Sequence, residues 1–301
     1  MSETTATEDR AIGEHVTLLG AVRAGKYPHG GSLLVRGSEE ALLIDPSLSL
    51  VGRGSMPRVD RVINSHCHED HIAGNHLFPD LPWHLHALDR CGLGSLDGMM
   101  EIYGYAGPSA DYFRKALVED FHYMPKPDAV AFVDGDTFDL GRVSVRVIHA
   151  PGHTRGHCCI AIEPDGVLYL GDIDLTSFGP YYGDAWSSLA DFERTLGEVR
   201  KLEARRYATF HHIGVLDGRE PFLDRLDRFA AVIQSREQRL VEFLHEPRTL
   251  DEIVAHRFVY RPGDPVAYAD PIERRSMSQH LERLIGEGTV REIERSRYVA
   301  G

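Results

Sequence analysis

Cysteine is scarce in this chain of 301 residues: only Cys67, Cys91, Cys158 and Cys159 occur, and no two are spaced as a CxxC pair. A disulfide framework or a thiolate zinc site is therefore not expected. Long apolar runs are missing as well. Nowhere do eighteen apolar residues follow one another, and the N-terminal MSETTATEDRAIGEH has no basic stretch leading into an apolar one. The expectation is a cytoplasmic protein without a membrane span. Positive charge is in deficit too, with 33 Lys and Arg against 46 Asp and Glu and a formal net charge of −13. Such a surface repels phosphate backbones, so nucleic acid is not an expected partner. The composition, 42% hydrophobic and 26% charged, is that of a globular chain long enough for one large domain with an appendage, or for two domains.

Histidine is the residue in excess, at seventeen, and its placement matters more than its number. The stretch 65-SHCHEDHIAG-74 follows the apolar run 59-VDRVIN-64. Residues two apart in extended chain share a face, so His66 and His68 can address one point. Asp70 and His71, at the entrance to a helix, can address a second. Further ligand types close three later β runs: His153 in 150-APGHTRGH-157, Asp172 in 170-LGDIDL-175, and His211 or His212 in 209-TFHHIG-214. Imidazole and carboxylate without thiolate suit zinc, manganese or iron at a site with open positions.

The wider pattern supplies the frame. Short β runs at 16–24, 32–37 and 41–47 predict an antiparallel meander, and strand, loop, helix, strand follows it through 59–88. The pattern resumes at 129–150 and 158–173, then gives a helix at 188–202 and a strand at 206–212. Between the two β-rich halves, residues 92–127 are helical and aromatic, as expected of an insertion over the site. From residue 219 the chain turns helical and Arg-rich, without lysine, and it ends in a short β ribbon. Thr249 is a candidate N-cap and Pro271 a candidate first helical residue. Three helices and a ribbon resemble a winged-helix unit. Yet from Arg236 to Gly301 eleven Arg face twelve Asp and Glu, and that balance gives no basic face for a phosphate backbone. The expected role of this unit is packing or dimerising.

HCHEDH, PGHTRGH, Gly171-Asp172 and a strand-ending histidine, in that order over residues 15 to 215, resemble the metallo-β-lactamase fold superfamily. The resemblance implies an α/β fold: an αββα sandwich over residues 1–218, followed here by the winged-helix-like domain 219–301. It implies two divalent ions, zinc first and manganese or iron as alternatives. His66, His68 and His153 would hold one, Asp70, His71 and His211 or His212 the other, with Asp172 between them. Paired ions bring the pKa of a shared water from about 16 towards neutrality. Asp70 would orient that nucleophile and pass on its proton. Tyr181 and Tyr182, in the loop after Asp172, are candidate donors to a developing oxyanion. The expected activity is hydrolysis of a small thioester, ester or lactone, with a small-molecule acyl substrate as partner and a homodimer as a candidate assembly. A metal-dependent endoribonuclease or phosphodiesterase using the C-terminal unit is the alternative.

Overall fold

The computed structural model describes residues 7–264, 266–293 and 296–301. Strands β1 (Arg10–Ala11), β2 (Val16–Leu18), β3 (Leu33–Arg36), β4 (Ala41–Ile44), β5 (Arg61–Ile63), β6 (Trp83–His86) and β7 (Val130–Phe132) form one sheet in chain order. Its first four strands run antiparallel and β4 to β7 run parallel. The second sheet contains β8 (Thr137–Asp139), β9 (Ser144–His149), β10 (Cys158–Glu163), β11 (Val167–Tyr169), β12 (Arg206–Ala208) and β13 (Val215–Asp217), also in sequence order.

Alternation along each strand makes the layers. Leu42, Ile44 and Ile63 join Val145, Val147, Cys158, Ile160 and Ile162 in a core between the sheets. Leu43 and Val62 face outward, into a core shared with helices α1 (Glu69–Ile72), α2 (Arg90–Gly94), α3 (Leu96–Tyr103) and α4 (Gly107–Glu119). On the far side, Cys159 and Leu168 pack with α5 (Leu189–Val199) and α6 (Arg219–Phe243). Helix α5 presents Leu189, Phe192, Leu196 and Val199 at helical spacing behind a Ser188 N-cap. The result is the four-layer α/β arrangement of the metallo-β-lactamase fold.

Helix α6 begins directly after Gly218 and leads to β14 (Arg248–Thr249), α7 (Leu250–His256), α8 (Ala269–Gly286), β15 (Val290–Ile293) and β16 (Arg297–Ala300). The three strands pair in the order β14-β16-β15 over a small core of their own. Thr249 caps α7 in a reciprocal capping box with Glu252. Helix α8 starts at Ala269, so Pro271 is its third residue rather than its first. The segment at 71–78 is shorter as a helix than its amphipathic pattern suggests: α1 is one turn, followed by a separate turn at Asn75–Leu77. Among the described residues, no helix is long and apolar enough to cross a membrane.

Candidate metal centre

The loop after β5 is held by its own polar groups. The Asn64 amide donates to the His71 carbonyl (3.0 Å) and to Asn75 Oδ1 (3.3 Å), which fixes the loop around α1. His66, His68, Asp70 and His71 all come out buried. The second sheet adds His153 after β9 and Asp172 after β11. Two glycines make these turns possible. Gly152 has φ +130°, and a Cβ there would lie 2.3 Å from the Phe192 backbone; Gly171 has φ +55°, and its Cβ would lie 2.6 Å from His157 Nε2.

The candidate ligands gather into two groups, His66, His68, His153 and Asp172, and Asp70, His71 and His211, each with its ligand atoms within 4.8 Å of one another. Asp172 lies between them. Its Oδ2 is 3.1 Å from His153 Nε2, while its Oδ1 is 2.8 Å from His71 Nε2 and 3.7 Å from His211 Nε2. Two of the expected site residues fall outside both groups. His212 is exposed at the cavity rim and belongs to neither group, because the chain turns after His211, where the Gly214 N–H donates to the His211 carbonyl (3.0 Å). Tyr182 is buried on the far side of its loop, with its hydroxyl 2.9 Å from His280 Nε2 of α8. Tyr181 does reach the cavity, but its hydroxyl donates to Asp184 Oδ1 (2.9 Å), which engages the proton an oxyanion would need.

Each histidine of the two groups has one ring nitrogen facing an outer partner. His66 Nδ1 meets Ser65 Oγ (3.1 Å), His71 Nδ1 meets Asp45 Oδ2 (2.8 Å), His153 Nδ1 meets the Tyr181 carbonyl (3.0 Å), and His211 Nδ1 meets the His29 carbonyl (3.1 Å). His68 Nε2 lies 3.0 Å from Asp184 Oδ2, an ion-pair contact that is not aligned as a hydrogen bond. Such partners set the tautomer and aim of a metal-binding imidazole. His157 serves from behind: its Nδ1 faces the Ala150 carbonyl (2.9 Å) and its Nε2 accepts the Asp172 N–H (3.1 Å). Burial holds its pKa down at about 3, so the ring stays neutral.

The residues fit divalent cations. His66 Nε2 and His153 Nε2 face each other at 3.2 Å, and Asp70 Oδ2 is buried without a hydrogen-bond partner. Nitrogen lone pairs and a carboxylate oxygen converging out of water are costly unless a cation or proton lies between them. Burial pushes Asp70 up to about 7, against the pull of His71 and His211. Burial opposes ionisation of Asp172 too, but the surrounding His71 and His153 outweigh it and hold its carboxyl well below the usual range. Burial would lower His68, yet Asp184 overrides it and raises the ring to about 9.

Three acids that the sequence did not single out complete the centre. Asp45, at φ +48° directly after β4, accepts the Ser65 N–H (2.6 Å) and the Tyr169 hydroxyl (2.7 Å) as well as binding His71. It occupies a strand end, as Asp172 does, and that position was the available signal. Asp89 accepts from Thr154 Oγ1 (2.6 Å) and the Gly156 N–H (2.7 Å), bracing the turn that carries His153. Asp184 had no local signal. Asp184→Asn is expected to weaken metal affinity by roughly 10- to 100-fold, because His68 loses its anionic partner; chelator competition measures it, and unchanged affinity would show that Asp184 does not tune the site.

The centre opens into a cavity of about 460 Å³ whose wall includes Tyr27, Tyr103, Tyr105, Phe113, Tyr181 and Tyr268. Tyr103, Tyr105 and Phe113 come from the 92–127 segment. A two-sheet sandwich enclosed by helices, with buried imidazoles and carboxylates meeting where both sheets end, defines the class: a four-layer α/β sandwich with a candidate metal centre at the sheet ends. The Metallo-beta-lactamase superfamily model matches residues 30–214, and the chain belongs to that superfamily, whose members are generally hydrolases. A hydroxyacylglutathione hydrolase of Methylococcus capsulatus is 28% identical over 241 residues, covering 76% of this chain and 80% of that protein. An atrochrysone carboxyl ACP thioesterase of Aspergillus fumigatus is 26% identical over 148 residues, 49% of this chain and 35% of that protein. A beta-lactamase domain protein from Burkholderia ambifaria superposes with a TM-score of 0.71 at 19% identity, covering 100% of this chain and 95% of that one.

Proposed function

We propose that this protein hydrolyses a small acyl substrate, a thioester first and an ester or lactone next, at a centre of two divalent ions. The observation that carries this reading is the pairing of two ligand groups around Asp172 with an aromatic cavity whose one Lys or Arg, among the described lining residues, is Lys26. When bound, divalent ions, zinc by donor preference, supply Lewis acidity and make hydroxide available near neutral pH. His66, His68 and His153 would hold one ion, Asp70, His71 and His211 the other, and Asp172 would face both. Asp70 Oδ2 orients the attacking water and carries its proton to the leaving sulfur. The acyl C–S bond breaks, a C–O bond forms, and acid and thiol leave. The relatives named for acyl-glutathione and acyl-carrier-protein hydrolysis support the acyl class.

Three helices with a small sheet ordered β14-β16-β15, in which β14 lies between α6 and α7 and the β15-β16 ribbon follows α8, support a winged-helix-like reading of residues 219–301. Its arginines do not favour a nucleic-acid role. On α8, Arg274 pairs with Asp251, Arg275 reaches the Gly104 carbonyl (3.5 Å), and Arg283 pairs with Glu237 and Glu193. All three cations of the helix that would read nucleic acid are engaged within the chain. Chelator-sensitive thiol release from acyl-glutathione or acyl-CoA, or ring opening of an acyl-homoserine lactone, is the expected result, with single-stranded RNA left intact. Cleaved RNA beside inert acyl substrates would replace this reading with the nuclease one.

A further inference from the structure

The segment between α7 and α8 closes the cavity from the C-terminal unit. Tyr260, Val266 and Tyr268 line the same space as His68, His153 and Asp172. The Tyr268 ring stacks along Tyr105 at 6.1 Å and meets Phe113 edge-on at 5.4 Å. Tyr260 packs against Phe178 at 5.7 Å. Glu273 of α8, fully buried, fixes the backbone at Tyr260: its carboxylate accepts the N–H groups of Phe258 (3.0 Å), Val259 (2.9 Å) and Tyr260 (2.8 Å). Hydrogen bonds to an ionised acceptor are strong, and three of them leave this backbone little freedom.

Most tyrosine hydroxyls of the wall are already engaged. Tyr105 donates to Asp184 Oδ1 (3.3 Å), Tyr103 to Glu69, and Tyr27 to Glu69 Oε1 (2.8 Å), while the Tyr268 hydroxyl lies 3.1 Å from that of Tyr27. The wall therefore offers the substrate mainly ring faces and edges; among its described tyrosines, only the Tyr260 hydroxyl has no hydrogen bond within the chain. Aromatic groups settle against such surfaces at 4.5–7 Å between centroids. A short polar acyl group would leave much of the roughly 460 Å³ unfilled.

We propose that Tyr260 and Tyr268 are specificity-determining residues that select a bulky apolar, preferentially aromatic, acyl group, with Glu273 as the positioning residue for Tyr260. This rests on the acyl-hydrolase reading above. The C-terminal unit is then part of the substrate site, supplying the wall opposite the metal ligands.

The test compares 3-phenylpropanoyl and acetyl thioesters of N-acetylcysteamine on the full, metal-loaded chain. The wild type is expected to prefer the phenyl substrate by about 30-fold in kcat/KM, the size of effect that burying one ring supplies. The preference should fall to about 3-fold in Tyr268→Ala and Tyr260→Ala, chiefly through KM, and move the same way in Glu273→Gln. Because the readout is a ratio on one preparation, a partly unfolded variant does not distort it. Calorimetric binding of the matching ketones, with methylene in place of sulfur, gives a readout without turnover. Ketones that bind with the 30-fold ratio while no thioester is hydrolysed would sink the proposed reaction and uphold the acyl pocket. Thioesters cleaved without preference, or a preference unmoved in both tyrosine variants, would overturn the inference and leave the reaction standing. Neither turnover nor ketone binding would end both.

Discussion

Asp172→Ala is expected to lower kcat/KM by at least about 1000-fold, roughly 4 kcal/mol of transition-state stabilisation, and to reduce the metal bound per chain, with little change in helical content. Among the described residues, Asp172 is the one carboxylate whose two oxygens divide between the candidate ligand groups, towards His153 on one side and His71 and His211 on the other. The neighbouring acids are otherwise engaged: Asp70 Oδ2 faces His211 at 3.4 Å, within the second group, and Asp174 Oδ1 accepts from the Thr176 N–H (3.0 Å) and hydroxyl (2.9 Å). The aspartate lies at a turn rather than in either sheet, so its loss does not unseat the packing. Metal analysis beside turnover checks it, and full activity with metal retained would show that Asp172 is not shared. Asp70→Ala is expected to abolish turnover as well.

Arg236→Ala is expected to cost about 3 kcal/mol of stability and to lower the melting temperature by several degrees. Arg236 follows Phe222, Leu226, Phe229 and Ile233 at core spacing along α6 and is only 1% exposed. It donates to the Pro180 carbonyl (2.5 Å) and the Phe178 carbonyl (2.7 Å), and its guanidinium lies 5.4 Å from the ring centres of both Phe178 and Tyr182. Truncation leaves a cavity and two weakened carbonyl partners, and it frees the loop that carries Phe178 and Tyr181 into the substrate cavity. KM should therefore rise along with the loss of stability. Arg236→Lys should restore little, because one ammonium cannot reproduce the planar fork that spans two carbonyls. Thermal unfolding and KM together check it; a variant as stable as the parent would show that α6 does not hold this loop.

Much of the candidate centre could be read before any fold was known, because its candidate ligands lie on short segments with strong local grammar. His66, His68, Asp70 and His71 follow one strand, and Gly152 and Gly171 mark the turns that present His153 and Asp172. The choice between His211 and His212 was not local. The two lie in a turn closed by Gly214, and the packing of that turn against the His29 carbonyl makes His211 the inward one. Tyr181 and Tyr182 illustrate the same limit, since the side of the loop that faces the cavity depends on α6 and α8 packing on the other.

Strand periodicity, turn residues and ligand spacing determined the two β halves, the helical C-terminal third and six candidate ligand positions, since each depends on neighbours within a few residues. Tertiary structure alone decided the roles of Asp45, Asp89 and Asp184, which meet His71, the His153 turn and His68 from 26, 65 and 116 positions away or thereabouts along the chain. It also decided that Tyr260 and Tyr268 reach the cavity, because a wall drawn from distant segments exists only once the cores that carry them have packed.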